Sequence, residues 1–197
     1  METPTLEPQH LNVKLRVEAA TPATLQALIP VFHLWIQDRL CPEQLIDVAD
    51  YRHVPAGPGV VLIGHEANYS LDGADHHWGV RYNRKAAAPG TLREQLAQAT
   101  RAALEACLRL EQDSALAGGI RFDGRHLDLF VNDRMLAPNT AATRAALEPE
   151  LQAFLAELFA GEACTLTHDA DPRRLFGVTV TAAQPQATAA LLAHLGD

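Results

Sequence analysis

The chain has 197 residues, of which 48% are apolar and 20% charged, and its formal net charge is −8. A globular chain of this length buries about 70% of the surface its unfolded form exposes, so neither disulfides nor a structural metal is needed to hold a core. The acidic balance opposes polyanions and anionic membrane surfaces, which argues against nucleic acid and membrane as partners.

Residues 1–10 are polar and proline-containing and read as a flexible N-terminal segment; a single α+β domain is expected over residues 11–197. In residues 11–19, Leu11, Val13, Leu15 and Val17 alternate with Asn12, Lys14, Arg16 and Glu18, the period of a half-buried strand. Thr21-Pro22 then opens a helix, with the threonine as cap and the proline at the first helical position. Its apolar face is Leu25, Leu28, Ile29, Phe32 and Ile36, and Pro30 inside the pattern predicts a kink or two abutting helices. Residues 45–51 and 60–63 read as strands, joined by a turn-rich connection, with Gly64 as a candidate bulge. Residues 79–84 form a further strand after a loop containing Asp72-Gly73.

Thr91-Leu92-Arg93-Glu94 is a capping box, and the helix it opens runs to about residue 112. Residues 120–122 and 125–131 read as a hairpin about Asp123-Gly124, a pair suited to a type I′ turn. The next helix is capped at Asn139-Thr140, divided at Pro149 and stopped near Gly161. Residues 164–168 and 175–181 form a second hairpin around a turn holding Asp169 and Asp171, and a short helix closes the chain. The fold class that follows is α+β: a largely antiparallel or mixed sheet with helices packed on one face, with room for ferredoxin-like split β-α-β elements.

The cysteines Cys41, Cys107 and Cys164 are odd in number and widely spaced, unlike a secreted disulfide framework. The first residues lack the basic and apolar regions of a signal peptide, and no run approaches the roughly 20 apolar residues of a membrane span. The expected compartment is the cytoplasm.

The densest polar stretch runs from Asp47 to Lys85. Within it His65, Glu66, His76 and His77 are the candidate metal ligands, since imidazole and carboxylate suit zinc, iron or manganese if they converge. Their spacing matches no metal motif, and a solvated loop with hydrogen-bonded histidines is the preferred reading. Arg81, Arg84 and Lys85 make one compact basic cluster in an acidic chain, and Arg134 falls beside the start of a helix. Arg81, Arg84 and Arg134 are therefore the candidate ligand-binding residues for a small anion, weighed against a solvated strand end and a capped loop. Cys41 before Pro42 has room for exposure at a helix end but no assignable histidine partner, and Cys107 falls on an apolar helical face. His33, between Phe32 and Trp35, reads as a buried, satisfied histidine, and Trp35 and Trp78 would anchor a partner if exposed.

Three groups of residues belong together with the run 57–66: Val31-Phe32-His33-Leu34-Trp35-Ile36-Gln37, Ile46-Asp47-Val48-Ala49-Asp50-Tyr51, and Asn132-Asp133-Arg134-Met135-Leu136-Ala137-Pro138-Asn139-Thr140. As a set they resemble a family of uncharacterised bacterial proteins, over roughly residues 11–180. No activity is assigned to that family, so the resemblance implies no catalytic residue, and the cofactor stays unknown.

Two functions compete. The favoured one is a non-enzymatic binding or accessory module acting through self-association, as a homo-oligomer, or through a protein partner, with room for a small anionic ligand besides. The alternative is a small metal-assisted hydrolase using the stretch 65–81.

Overall fold

The computed structural model describes residues 8–18, 20–116 and 118–196. The expectation of a flexible start over residues 1–10 falls largely outside them. In chain order the elements are β1 (Leu11–Val17), α1 (Pro22–Asp38), β2 (Leu45–Tyr51), β3 (Gly59–Gly64), β4 (Ala67–Asp72), β5 (Gly79–Arg84), α2 (Leu92–Gln112), β6 (Phe122–Val131), α3 (Ala141–Leu158), β7 (Cys164–His168), β8 (Phe176–Ala182) and α4 (Thr188–His194). Single 3₁₀ turns sit at Ala74–His76 and Ser114–Leu116. No described helix is long and apolar enough to cross a membrane.

The strands form one antiparallel sheet in the order β2-β3-β4-β5-β1-β6-β8-β7. Because β1 pairs antiparallel with both β5 and β6, those two run parallel to each other with β1 between them and α2 as their connection. The same holds for β6 and β7 around β8, joined by α3. The fold is therefore α+β with two split β-α-β units.

Period two divides each strand between two faces. Leu11, Val13, Leu15 and Val17 face α2 and the core together with Tyr69, Leu71, Val80, Tyr82, Leu127, Leu129, Val178 and Val180, all buried. The helices cover only this face. Caps hold their starts: the Thr21 side chain accepts from the Thr24 amide at 3.1 Å, Thr140 accepts from Thr143 at 3.2 Å, and Thr91 and Glu94 close a full capping box.

Four local expectations need correction. Helices α1 and α3 run unbroken through Pro30 and Pro149. Both prolines are solvent-exposed, while Leu25, Leu28, Phe32 and Trp35, or Leu147, Leu151, Phe154 and Leu158, keep the inner face packed. Residues 120–131 make no hairpin: β6 is one ten-residue strand. Gly124 at φ 73° is a kink within it, where the Asp123 carboxylate accepts from the Arg125 and His126 amides at 2.8 Å each. The stretch 67–72 is the strand β4, not a polar loop. The bulge near Gly64 belongs to the partner strand: Leu45 pairs with Gly64 and Asp47 with Ile63, so Ile46 is the extra residue.

Candidate functional site

The face turned away from the helices is the unusual part of the molecule. Strand register places Ser70, Arg81, Lys14, Asp128, Thr179 and Thr167 in one row across β4, β5, β1, β6, β8 and β7. The next row holds Asn68, Asn83, Asn12, Phe130 and Gly177. The floor of this face is thus polar and charged, and much of it is buried: Asn12, Lys14, Asp72 and Asp128 are each no more than 5% exposed.

Buried charges require partners, and these have them. Lys14 Nζ donates to Asp72 Oδ1 at 2.8 Å and to the Ala74 carbonyl at 3.0 Å. Arg16 donates to Asp128 through Nε at 2.8 Å and Nη2 at 2.7 Å, and the Thr179 hydroxyl donates to the same carboxylate at 2.6 Å. Arg81 donates to Asp72 Oδ2 at 3.3 Å, and its guanidinium lies 5.4 Å from the centre of the Phe130 ring. With the Asn12 amide oriented to donate to Asn83, its oxygen accepts from Arg81 Nη2 at 3.2 Å. Arg81 Nε is buried and has no hydrogen-bond partner among the described residues.

Two connections enter this face from opposite ends of the sheet. The β4–β5 connection leans inward, since its Ala74 carbonyl reaches Lys14. The β7–β8 loop does the same from the other end, and Arg174 joins the two, donating to Asp75 at 2.6 Å and pairing with Asp169 at 2.8 Å. Asp75 and His76 both adopt positive φ, 58° and 63°, so the β4–β5 connection holds Asp75 toward Arg174 at a cost in backbone strain. Pairing with Arg174 lowers the Asp75 pKa from the usual carboxylate value. Asn139, almost wholly buried, ties the loop before α3 to the β7–β8 loop by donating to the carbonyls of Asp169 and Asp171 at 3.0 and 2.9 Å.

Between these loops lies a cavity of about 330 Å³ whose walls carry four guanidinium groups, Arg81, Arg134, Arg173 and Arg174, with Phe130, Thr167 and Thr179 on the floor. Arg173 is bound to Asp171 and Arg174 to Asp75 and Asp169. Arg134 is exposed and pairs with no carboxylate among the described residues. Neither a family model, nor a curated protein, nor a solved structure matches the chain. The site is read from its own chemistry.

Of the residues singled out from the sequence, Arg81 and Arg134 come together on this cavity. Arg84 does not. Three positions along a strand reverse the face, and Arg84 instead donates to the Ala86 carbonyl at 3.0 Å and approaches the Tyr82 hydroxyl at 3.4 Å on the helix side. The candidate metal ligands are likewise divided. His65 and Glu66 sit in the β3–β4 turn, 3.6 Å apart, while His76 and His77 sit in the β4–β5 connection. The strand β4 lies between the two turns, roughly 20 Å at about 3.3 Å per residue. Among the described residues no group of three or more His, Cys, Asp or Glu side chains is arranged to hold a metal ion.

His76 and His77 do share a different depression, of about 380 Å³, with Arg16, Trp78 and His126. His126 escaped notice in the sequence. Its Nδ1 lies 2.6 Å from Asp123 Oδ2, a pairing that orients the ring. Arg173 and Arg174 were also missed, because the neighbouring Asp169 and Asp171 read as turn formers; adjacent arginines in a loop were the available signal.

The thiols offer no activated nucleophile. Cys41 is buried rather than exposed, and burial pushes its pKa up to about 11; burial also raises Cys107 and Cys164. His33 is exposed instead of buried, and Trp35 is core rather than a surface anchor. On the helix side, the buried Glu43 accepts from the Tyr69 and Tyr82 hydroxyls at 2.6 and 2.8 Å. Each carboxylate oxygen is taken by a phenol, which fastens the segment after α1 to the sheet.

Proposed function

We propose that this protein is a binding module whose open sheet face takes a small anionic ligand. The observation that carries the reading is the cavity of about 330 Å³ walled by Arg81, Arg134, Arg173 and Arg174 in a chain of net charge −8. Arginine suits phosphate and carboxylate because its planar fork donates two parallel hydrogen bonds. Arg134, exposed, has no carboxylate partner among the described residues. At physiological ionic strength charges more than about 8 Å away are largely screened, so the distant acidic surface weighs little. Within the cavity Arg81, Arg173 and Arg174 share their charge with Asp72, Asp171, Asp75 and Asp169, and Arg134 is the wall cation without a carboxylate partner among the described residues.

The four candidate metal ligands are dispersed over two turns, so the reading assigns the protein no metal-assisted hydrolysis. Three free cysteines suit a reducing compartment, and we place the module in the cytoplasm.

Isothermal titration with inorganic pyrophosphate tests the proposal. Binding to the wild type is expected, and Arg134→Ala should weaken it about tenfold or more, in line with about 1.5–3 kcal/mol for a hydrogen bond to a charged group. Arg84→Ala, on the other face, should leave it unchanged. Equal loss in both variants, or no binding to the wild type, contradicts the proposal.

A further inference from the structure

Arg81 lines a second cavity besides the one with the arginine cluster. This neighbour also measures about 330 Å³ and lies over β3, β4 and β5, bounded by Tyr51, Val61, Ile63, Asn68, Ser70 and Asn83. Its chemistry differs sharply from that of the first. Apart from Arg81 and the Asp72 carboxylate that Lys14 and Arg81 already hold, its lining is uncharged. Tyr51 stands at its far edge on β2, 43% exposed. Asn68 and Asn83 face each other in register on its floor. The Asn68 oxygen accepts from the Gly64 amide at 3.3 Å and the Asn83 oxygen accepts from Asn12, which leaves both Nδ2 groups without a partner among the described residues.

Arg81 lines both the cationic hollow and the neutral one, so the two adjoin at that side chain as the halves of a candidate groove. The strand order puts Tyr51 three strands from Arg81, roughly 14 Å at about 4.8 Å per strand. A bare inorganic anion occupies only one end of such a groove. A ligand that fills it carries negative charge at one end and, at the other, a flat neutral group with hydrogen-bond acceptors for the two asparagine amides. We propose that this groove takes a nucleoside diphosphate: the phosphates lie among Arg81, Arg134 and Arg174, and the base lies against Tyr51 and accepts from Asn68 and Asn83. The inference rests on the anion-binding reading above and adds the identity of the ligand. A single nucleotide brings one compact charge cluster, whereas a nucleic-acid strand brings an extended run of charge that a chain of net charge −8 opposes.

The test compares inorganic pyrophosphate, glucose 1-phosphate and the five common nucleoside diphosphates by isothermal titration on the wild type, Tyr51→Ala and Arg134→Ala. At least one nucleoside diphosphate is expected to bind about tenfold or more tightly than pyrophosphate, the size of one base–aromatic stack. Tyr51→Ala should remove that advantage while leaving pyrophosphate affinity as it was, which also shows that the variant is folded. Arg134→Ala should weaken every ligand that binds. If every nucleoside diphosphate binds no tighter than pyrophosphate or glucose 1-phosphate, or if Tyr51→Ala changes nothing, the nucleotide assignment is overturned while the anion site stands. If nothing in the panel binds, or Arg134→Ala leaves binding intact, the anion reading is overturned and the nucleotide with it.

Discussion

Asp72 is the residue on which the open face turns. Its Oδ1 accepts from Lys14 Nζ at 2.8 Å and from the Ala74 amide at 2.9 Å, and its Oδ2 accepts from Arg81 at 3.3 Å. The Lys14 and Asp72 side chains are each only 4% exposed, so removing one strands the other charge in a poorly hydrated place. Asp72→Ala is expected to cost about 3–5 kcal/mol in urea unfolding, and the double change Lys14→Met with Asp72→Leu should recover most of that loss. A single change costing under about 1 kcal/mol would show that the pair is hydrated. His168 makes a separate point. Its Nδ1 is buried and unpartnered among the described residues, and burial first, then Arg144, lower its pKa, with Glu148 opposing. The unfolded chain, with histidine near 6.5, therefore takes up the proton first. This contribution is complete above about pH 6.5 and is lost as pH falls below it, so melting temperature should drop between about pH 7 and 5, and His168→Gln should remove that part of the slope. An unchanged slope in the variant contradicts the assignment.

At the scale of elements, α1 shows what tertiary packing overrides. Pro30 removes a donor in mid-helix, yet the helix persists because Leu28, Val31, Phe32 and Trp35 are all buried against the core. Pro30→Ala should restore the backbone bond and raise stability by up to about 3 kcal/mol in urea unfolding; no gain would mean that a bend at Pro30 is required for packing. The same contrast sets what was legible in the chain. The alternation in β1 and the capping box of α2 follow from local chemistry and appear where expected. In residues 67–72, Ala67, Tyr69 and Leu71 alternate with Asn68, Ser70 and Asp72, a strand pattern hidden by the polar half of the pair. Asp123-Gly124 carries a hairpin signature, but β6 pairs with β1 at Phe122 and again from Leu127, so the strand continues through the kink at Gly124. Strand order was beyond local reading, because β1 inserts between β5 and β6, roughly 65 and 110 residues further along.

For the whole molecule, the consequence of this order is a face that none of the described helices covers. Helices α1 and α2 pack on the other side, and among the described residues the open side is roofed by two loops joined through Arg174 and Asp75. Arg81 and Arg134 lie far apart in the sequence; only the non-local pairing of β5, β1 and β6, with the loop before α3 held by Asn139, brings them to one cavity. Arg84 looked equivalent to Arg81 because adjacency in sequence hides the reversal of face along a strand.

The most direct test of this account is a two-dimensional amide NMR titration of the assigned protein with pyrophosphate. The predicted result is a set of shifts confined to the open face and its loops, at Arg81, Phe130, Arg134 and residues 173–179, with α1 and the core strand positions of β3 unmoved. Shifts centred on the helix side, or none at all, would contradict the claim that the uncovered face of the sheet is the binding surface.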